Sequence, residues 1–420
     1  MSQQEGQTSK ENMLAPYRVL DLADDKGFLC GKLLADLGAD VIKVEKPGGD
    51  KSRNTGPFYH NIPHPEKSLS WFAYNTGKRG ITLNIESGDG QEIFRRLVEK
   101  ADFVIESFPP GYMDRLGLGY QALSEINPRI IMTSITPFGQ DGPYKDYKTS
   151  DLVSSAMGGL LYILGEPDRA PVRISSPQAY LFGGVGGAGA SLVALWYRHI
   201  AGEGQHVDVS IQECVLWSTY YEIPYWGERK LYKRAGNWAP RMEIVYRALF
   251  PCKDGYVNYR AYGGAMFGPG QANLVKAMDD EGMDVGNLKD VNWRERGIEN
   301  TPQADIDHFE GKVRQYFKQH TKAELLELSM KWNFMLSPVN TVKDVVDYSQ
   351  LEERGFWAEI EHPELKDTIS YPGFYFKSSV VPQRVKKRAP LIGENNEEIY
   401  AQELGFSRQE LAILKQNNVI

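Results

Sequence analysis

The sequence predicts an α/β protein in which a doubly wound parallel sheet forms the main body and a smaller α+β domain comes from the middle of the chain. Three observations predict it. Across the first 140 residues, short β-branched runs alternate with amphipathic helical runs, the pattern of a parallel sheet covered by helices. The chain has 420 residues, 41% hydrophobic and 25% charged, enough for two domains with their own cores. After Trp217 the composition turns aromatic and basic, and turn-rich sequence takes over.

The elements follow in order. "YRVLDL" reads as the first strand, "GFLCGKLLADLG" as a helix ended by Gly38, and "ADVIKVE" as the next strand. "ITLNI" is a strand, "SGDGQEIFRRLVEKA" a helix with Ser87 as N-cap, and "DFVIESF" and "RIIMTSI" are further strands. From Asp151 to about residue 200, small residues suggest closely packed helices; "AGEGQ" then turns into the alternating strand "HVDVSI". Residues 225–335 form the expected small domain, with a hairpin in "YRALFPCKDGYVNYRAY" joined through Asp254-Gly255 and a glycine-rich loop "YGGAMFGPGQ". Residues 1–224 supply the first part of the large domain. Residues 336–420 return to it, with "TISYPGFYFKSS" going back to sheet.

Composition narrows the class of function. The net charge of -7 leaves no basic footprint for nucleic acid. The first dozen residues, "MSQQEGQTSKEN", lack the apolar core and basic flank of a secretory signal, and no run reads as a membrane span, so a cytoplasmic protein is expected. Cys30, Cys214 and Cys252 lie far apart without C-x-x-C spacing; they read as core fillers rather than disulfide partners or metal ligands.

The segment "SSPQAYLFGGVGGAGAS" contains G-x-G-x-x-G at Gly184, Gly186 and Gly189, with Asp208 about 20 residues on, as a dinucleotide site would have it. The context argues against that use. The preceding "SSPQAY" holds Pro177 and makes a poor central strand, and the first strand-to-helix turn, "DLADDKGF", has one glycine where a dinucleotide fold carries three. The glycines read instead as the close-packing side of a helix, each at a cost of roughly 1 kcal/mol relative to alanine.

Taken together, "RVLDLADDKGFLCGKLLADLGADVIKVEKPGGD", "NTGKRGITLNI", "ADFVIESFPPGYMDRLGLGY", "NPRIIMTSITPFGQDGPY", "AGEGQHVDVSIQE", "RGFWAEIEHPEL" and "PLIGENNEEI" resemble the class III CoA-transferase family, in order and spacing, over nearly the whole chain. The resemblance implies a Rossmann-like large domain built from both chain ends, a small middle domain, and two subunits threaded through each other as an interlocked dimer. It implies CoA thioesters as substrates, with no permanently bound cofactor and no metal. By position in the matching motifs, Lys46, Arg115 and Lys148 correspond to residues that meet the nucleotide or diphosphate. Leu83, Asn84, Ile85 and Glu86, then Ser107, Phe108 and Pro109, then Ser150 and Asp151, correspond to the walls of the CoA site, with Lys26 and Gly27 near the pantetheine.

The chain departs from the family at its chemical centre. Family members use an aspartate as nucleophile, in a segment of the type P-V-R-x-x-x-P-x-A-D; here "PVRISSPQAY" ends on Tyr180. A phenol with an ordinary pKa near 10 stays protonated at neutral pH and does not relay an acyl group as a carboxylate does. Related racemases reuse that aspartate and add a histidine where this chain has Ser150. The resemblance therefore implies the non-nucleophilic subunit of a heteromeric enzyme, whose homologous partner in a heterodimer or heterotetramer carries the aspartate. Such an enzyme would move CoA from succinyl-CoA to a dicarboxylic acid, an arylsuccinate such as (R)-benzylsuccinate, in anaerobic aromatic hydrocarbon breakdown. The alternatives are a self-sufficient acyl-CoA enzyme in which Glu213 or Asp151 substitutes, an inactive CoA-binding protein, and an NAD oxidoreductase.

Overall fold

The computed structural model describes residues 12–220, 222–228, 234, 236–241, 244–297, 300–381, 385 and 387–420. The polar start of the chain and parts of the aromatic and basic belt after Trp217 lie outside the described residues.

Six parallel strands form the main sheet: β1 (Arg18–Asp21), β2 (Asp40–Glu45), β3 (Arg79–Thr82), β4 (Phe103–Glu106), β5 (Ile131–Thr136) and β6 (His206–Ser210). Their order is β3-β2-β1-β4-β5-β6, so the chain winds outward one way from β1 and then crosses back to wind the other way from β4. Register puts Val19 beside both Val41 and Phe103, which makes β1 central. Val19, Leu20, Ile42, Val104, Ile105 and Ile131 are all fully buried, as parallel strands covered on both faces require. The third strand begins two residues before the expected "ITLNI" and ends at Thr82, because the N–H of Asn84 turns away to the carbonyl of Val419.

The helix Phe28–Asp36 follows β1, and Ser87 caps Gly88–Val98 by accepting the N–H of Gly90. The longest helix, Gln178–Ala201, lies on the β5 face through its glycines. A Cβ added at Gly184 would stand 2.8 Å from Leu29 Cβ, one at Gly187 2.6 Å from Ile135 Cδ1, and one at Gly183 2.8 Å from Ile211 Cγ1. Close packing accounts for Gly183, Gly184 and Gly187, whereas Gly189, the last glycine of the expected close-packing side, has nothing within 4 Å of an added Cβ. By length and composition this helix alone among the described residues could cross a membrane, contrary to the sequence reading. Its glycine side is nevertheless buried against the sheet and the helix Phe28–Asp36.

The chain divides into two compact units: Met1–Leu160, Ile174–Ile223 and Gln350–Ile420 form the first, Leu161–Arg173 and Pro224–Ser349 the second. In the second, β7 (Trp238–Arg241) pairs antiparallel with β8 (Ile244–Arg247), and β9 (Leu249–Cys252), β10 (Gly255–Tyr259) and β11 (Leu336–Pro338) form a three-stranded sheet. The β9–β10 hairpin pairs Cys252 with Gly255, so its loop is Lys253-Asp254, one residue earlier than expected. The expected loop "YGGAMFGPGQ" is instead the start of a helix, Gly264–Asp280. This unit runs past residue 335 because β11 pairs with β10.

In the first unit, β12 (Trp357–His362) and β13 (Asp367–Pro372) form their own two-stranded sheet rather than rejoining the main one. Residues beyond 390 instead cover the exposed edge of β3. The N–H groups of Gly80 and Thr82 donate to the side chains of Asn395 and Asn396 at 2.9 Å each, and Tyr400 donates to the Thr82 carbonyl at 2.7 Å. An edge strand that would otherwise template pairing is thus closed by side chains.

Candidate functional site

A doubly wound sheet opens a crevice at the carboxyl ends of the strands where winding reverses, here β1 and β4. Asp24 ties the two ends together. Its backbone N–H donates to Ser107 Oγ at 2.8 Å, and the Ser107 hydroxyl donates to Asp24 Oδ1 at 2.7 Å. The carboxylate also pairs with Lys26. Burial opposes the charge on Asp24, but Lys26 and Ser107 prevail and hold its carboxyl below the usual value. Gly27 lets the following helix start against the sheet: a Cβ there would stand 2.8 Å from Ala23 Cβ and 3.2 Å from Ile135 Cδ1.

A second group lies across β2 and the segment after β4. Lys46 Nζ sits 3.0 Å from Glu86 Oε1, and the Tyr112 hydroxyl donates to the same oxygen at 2.6 Å. These bonds, Tyr112 first and then Lys46, hold Glu86 below its ordinary value. Arg115 lies 5.8 Å from the Tyr112 ring centre, and Phe108 stacks on that ring at 4.6 Å. Leu83 and Ile85 are buried beneath, and Asn84 Oδ1 accepts the N–H of Glu86 at 3.1 Å. Pro109 closes the turn by accepting the N–H of Tyr112 at 3.0 Å.

Tyr180 occupies the first turn of the long helix. Its N–H and that of Ala179 donate to Asp151 Oδ1, at 3.2 and 2.8 Å. The helix N-terminus, a natural anion site, is therefore filled by a carboxylate of the chain itself. Burial first, then the charges of Asp25, Asp24 and Asp151, push the Tyr180 phenol well above its ordinary value. It is a neutral hydroxyl facing three carboxylates. Among the described residues, no cluster of three His, Cys, Asp or Glu side chains could hold a metal ion.

Residues 14–396 match the model of CoA-transferase family III. This chain belongs to that family. It is 35% identical, over 94% of its length and 95% of the relative's, to the succinyl-CoA:(R)-benzylsuccinate CoA-transferase subunit BbsE of Thauera aromatica. The succinyl-CoA–L-malate CoA-transferase beta subunit of Chloroflexus aurantiacus is 30% identical over 97% of this chain and 98% of its own. A CaiB/BaiF family protein from Brucella suis superposes with a TM-score of 0.80 at 31% identity, covering 93% of this chain and 99% of that one.

In this member of a family whose substrates are CoA thioesters, the positions read from sequence lie in separate groups. Lys26, Gly27, Ser107, Phe108 and Pro109 gather at the β1–β4 crevice, and Lys46, Glu86 and Arg115 gather around Tyr112, with Leu83 to Ile85 as their floor. Lys148 stands exposed on the stretch before Ser150. Ser150 caps the short helix Asp151–Met157, accepting the N–H of Val153 at 3.5 Å. Sequence reasoning missed Asp24 and Tyr112, the residues that join each group. "LADDKG" directly after a strand and the tyrosine in "PPGYMDRLG" were the available signals.

Proposed function

We propose that this chain is the non-nucleophilic subunit of a heteromeric CoA-transferase that moves CoA from succinyl-CoA to an arylsuccinate such as (R)-benzylsuccinate. One observation carries the reading: where the family motif would place a nucleophilic carboxylate, Tyr180 presents a phenol kept protonated by burial and three acidic neighbours. Asp151, the nearest substitute in the sequence, is committed to the helix N-terminus. Two relatives are named as subunits, which supports a partner. So does an exposed apolar stripe on the long helix: Trp196 is 70% exposed, alongside Val193, Tyr197 and Ile200 on the same side. The crevice residues Lys26 and Ser107 and the Lys46–Arg115 group would hold the pantetheine and nucleotide of a CoA thioester, whose phosphates call for cations.

The test is CoA transfer from succinyl-CoA to (R)-benzylsuccinate by the purified chain, alone and with a homologous subunit that carries the aspartate. Transfer only in the mixture is expected; full activity of the chain alone would overturn the proposal and point to a relocated carboxylate. Tyr180→Asp should gain a covalent CoA adduct on incubation with succinyl-CoA, read by intact-protein mass spectrometry, and the unaltered chain should gain none.

A further inference from the structure

Glu106 ends β4 and is 3% exposed. Its Oε2 accepts the backbone N–H of Phe108 at 2.7 Å, inside the Ser107–Pro109 wall. Register sets Ser134 of β5 beside it; the Ser134 hydroxyl bonds to the Glu106 carboxyl and lies 2.9 Å from His206 Nε2 on β6. The His206 ring stacks on Tyr120 at 5.8 Å. Glu106, Ser134 and His206 all line one cavity of about 230 Å³, with Tyr112, Asp114 and Gln140. The cavity lies on the sheet face opposite the long helix, since Thr133, the residue before Ser134, faces Ser191 of that helix. Nothing in the proposed transfer uses this line of groups.

The charges around Glu106 come from three elements. Lys26 and Asp24 face it from the loop after β1, Asp114 lines the cavity from the segment above, and His206 stands behind Ser134 with Asp208 and Asp114 near it. Lys26 is already paired with Asp24. A buried carboxyl with no cation of its own titrates well above the ordinary range.

We propose that Glu106 positions the Ser107–Pro109 wall and takes up a proton when an anionic CoA thioester docks against that wall, the proton arriving from the cavity through His206 and Ser134. This rests on the CoA-binding reading above. A serine hydroxyl can donate and accept at once, so Ser134 passes its proton to Glu106 as it receives the Nε2 proton of His206, while the imidazole takes a proton from cavity solvent at Nδ1 and so stays neutral. Burial, only partly offset by Ser134, the Phe108 N–H and Lys26, pushes the Glu106 carboxyl up to about 7. A bound polyanion raises it further. Uptake therefore falls between the free and bound values, and affinity declines as pH rises above about 7 until the bound value is passed.

The experiment is calorimetric titration of the full chain with acetyl-CoA at about pH 7.5, in buffers of different ionisation heat. Wild type is compared with Glu106→Gln, whose amide oxygen still accepts the Phe108 N–H. Wild type should take up as much as about three-quarters of a proton more per ligand than the variant, with the ligand's own phosphate titration common to both. Equal uptake overturns the inference. Wild type that fails to bind acetyl-CoA overturns the CoA reading itself, a different result. Should the variant not fold, an infrared difference spectrum of wild type on adding acetyl-CoA should gain a protonated-carboxyl band; a spectrum without it overturns the inference equally.

Discussion

At the scale of single residues, acidic side chains decide what this site can do. Glu86 competes with any phosphate for Lys46, and an exposed ion pair of this kind is worth about 0.2–1 kcal/mol. Glu86→Gln is therefore expected to tighten CoA by up to about fivefold, as the dissociation constants of the two proteins for CoA would show. Glu106 also marks stability. Its carboxyl rises from 4.5 to about 7 on folding, so its contribution is fully present below about 4.5 and is lost as pH climbs toward about 7. Glu106→Gln should flatten that part of the denaturation profile. Lys26 and Ser107 were legible because they follow strands in recognisable motifs. Asp24 and Glu106 were not, because a carboxylate's role depends on which groups the register brings beside it.

Among the elements, the helix Gln178–Ala201 shows why identical residues in one motif differ in consequence. Gly187 has no room for a methyl group against Ile135, so Gly187→Ala should cost about 1–3 kcal/mol. Gly189 faces open space, and Gly189→Ala should stabilise by up to about 1 kcal/mol through helix propensity. Paired urea denaturation curves read both signs at once. At the start of the same helix, Asp151→Ala removes the acceptor for two N–H groups and should cost about 0.5–2 kcal/mol. The strands were readable because β-branched runs with short turns leave few other assignments. The helix Gly264–Asp280 was not, since glycines and Pro269 dominate its local signal while tertiary packing seats Gly263 and Gly268 against the backbone of Trp293 and Arg296.

For the whole molecule, Val193, Trp196, Tyr197 and Ile200 recur at helical spacing and stand exposed together on one side of the helix Gln178–Ala201, an apolar stripe of the kind that marks an interaction surface. Trp196→Glu with Ile200→Glu should weaken association with an aspartate-bearing subunit by at least about tenfold in sedimentation, with the circular dichroism of the isolated chain unchanged. Periodicity hinted at helices here, but it does not say which apolar side faces a second chain rather than the core. The closure of the β3 edge has a further consequence in time. Gly80 waits for Asn395, 315 residues later, to satisfy its backbone. At about 5–20 residues per second, a ribosome needs roughly 15 to 60 seconds to supply it. For that interval the nascent chain carries a bare strand edge beside Leu83–Glu86, the stretch a chaperone would have most reason to shield.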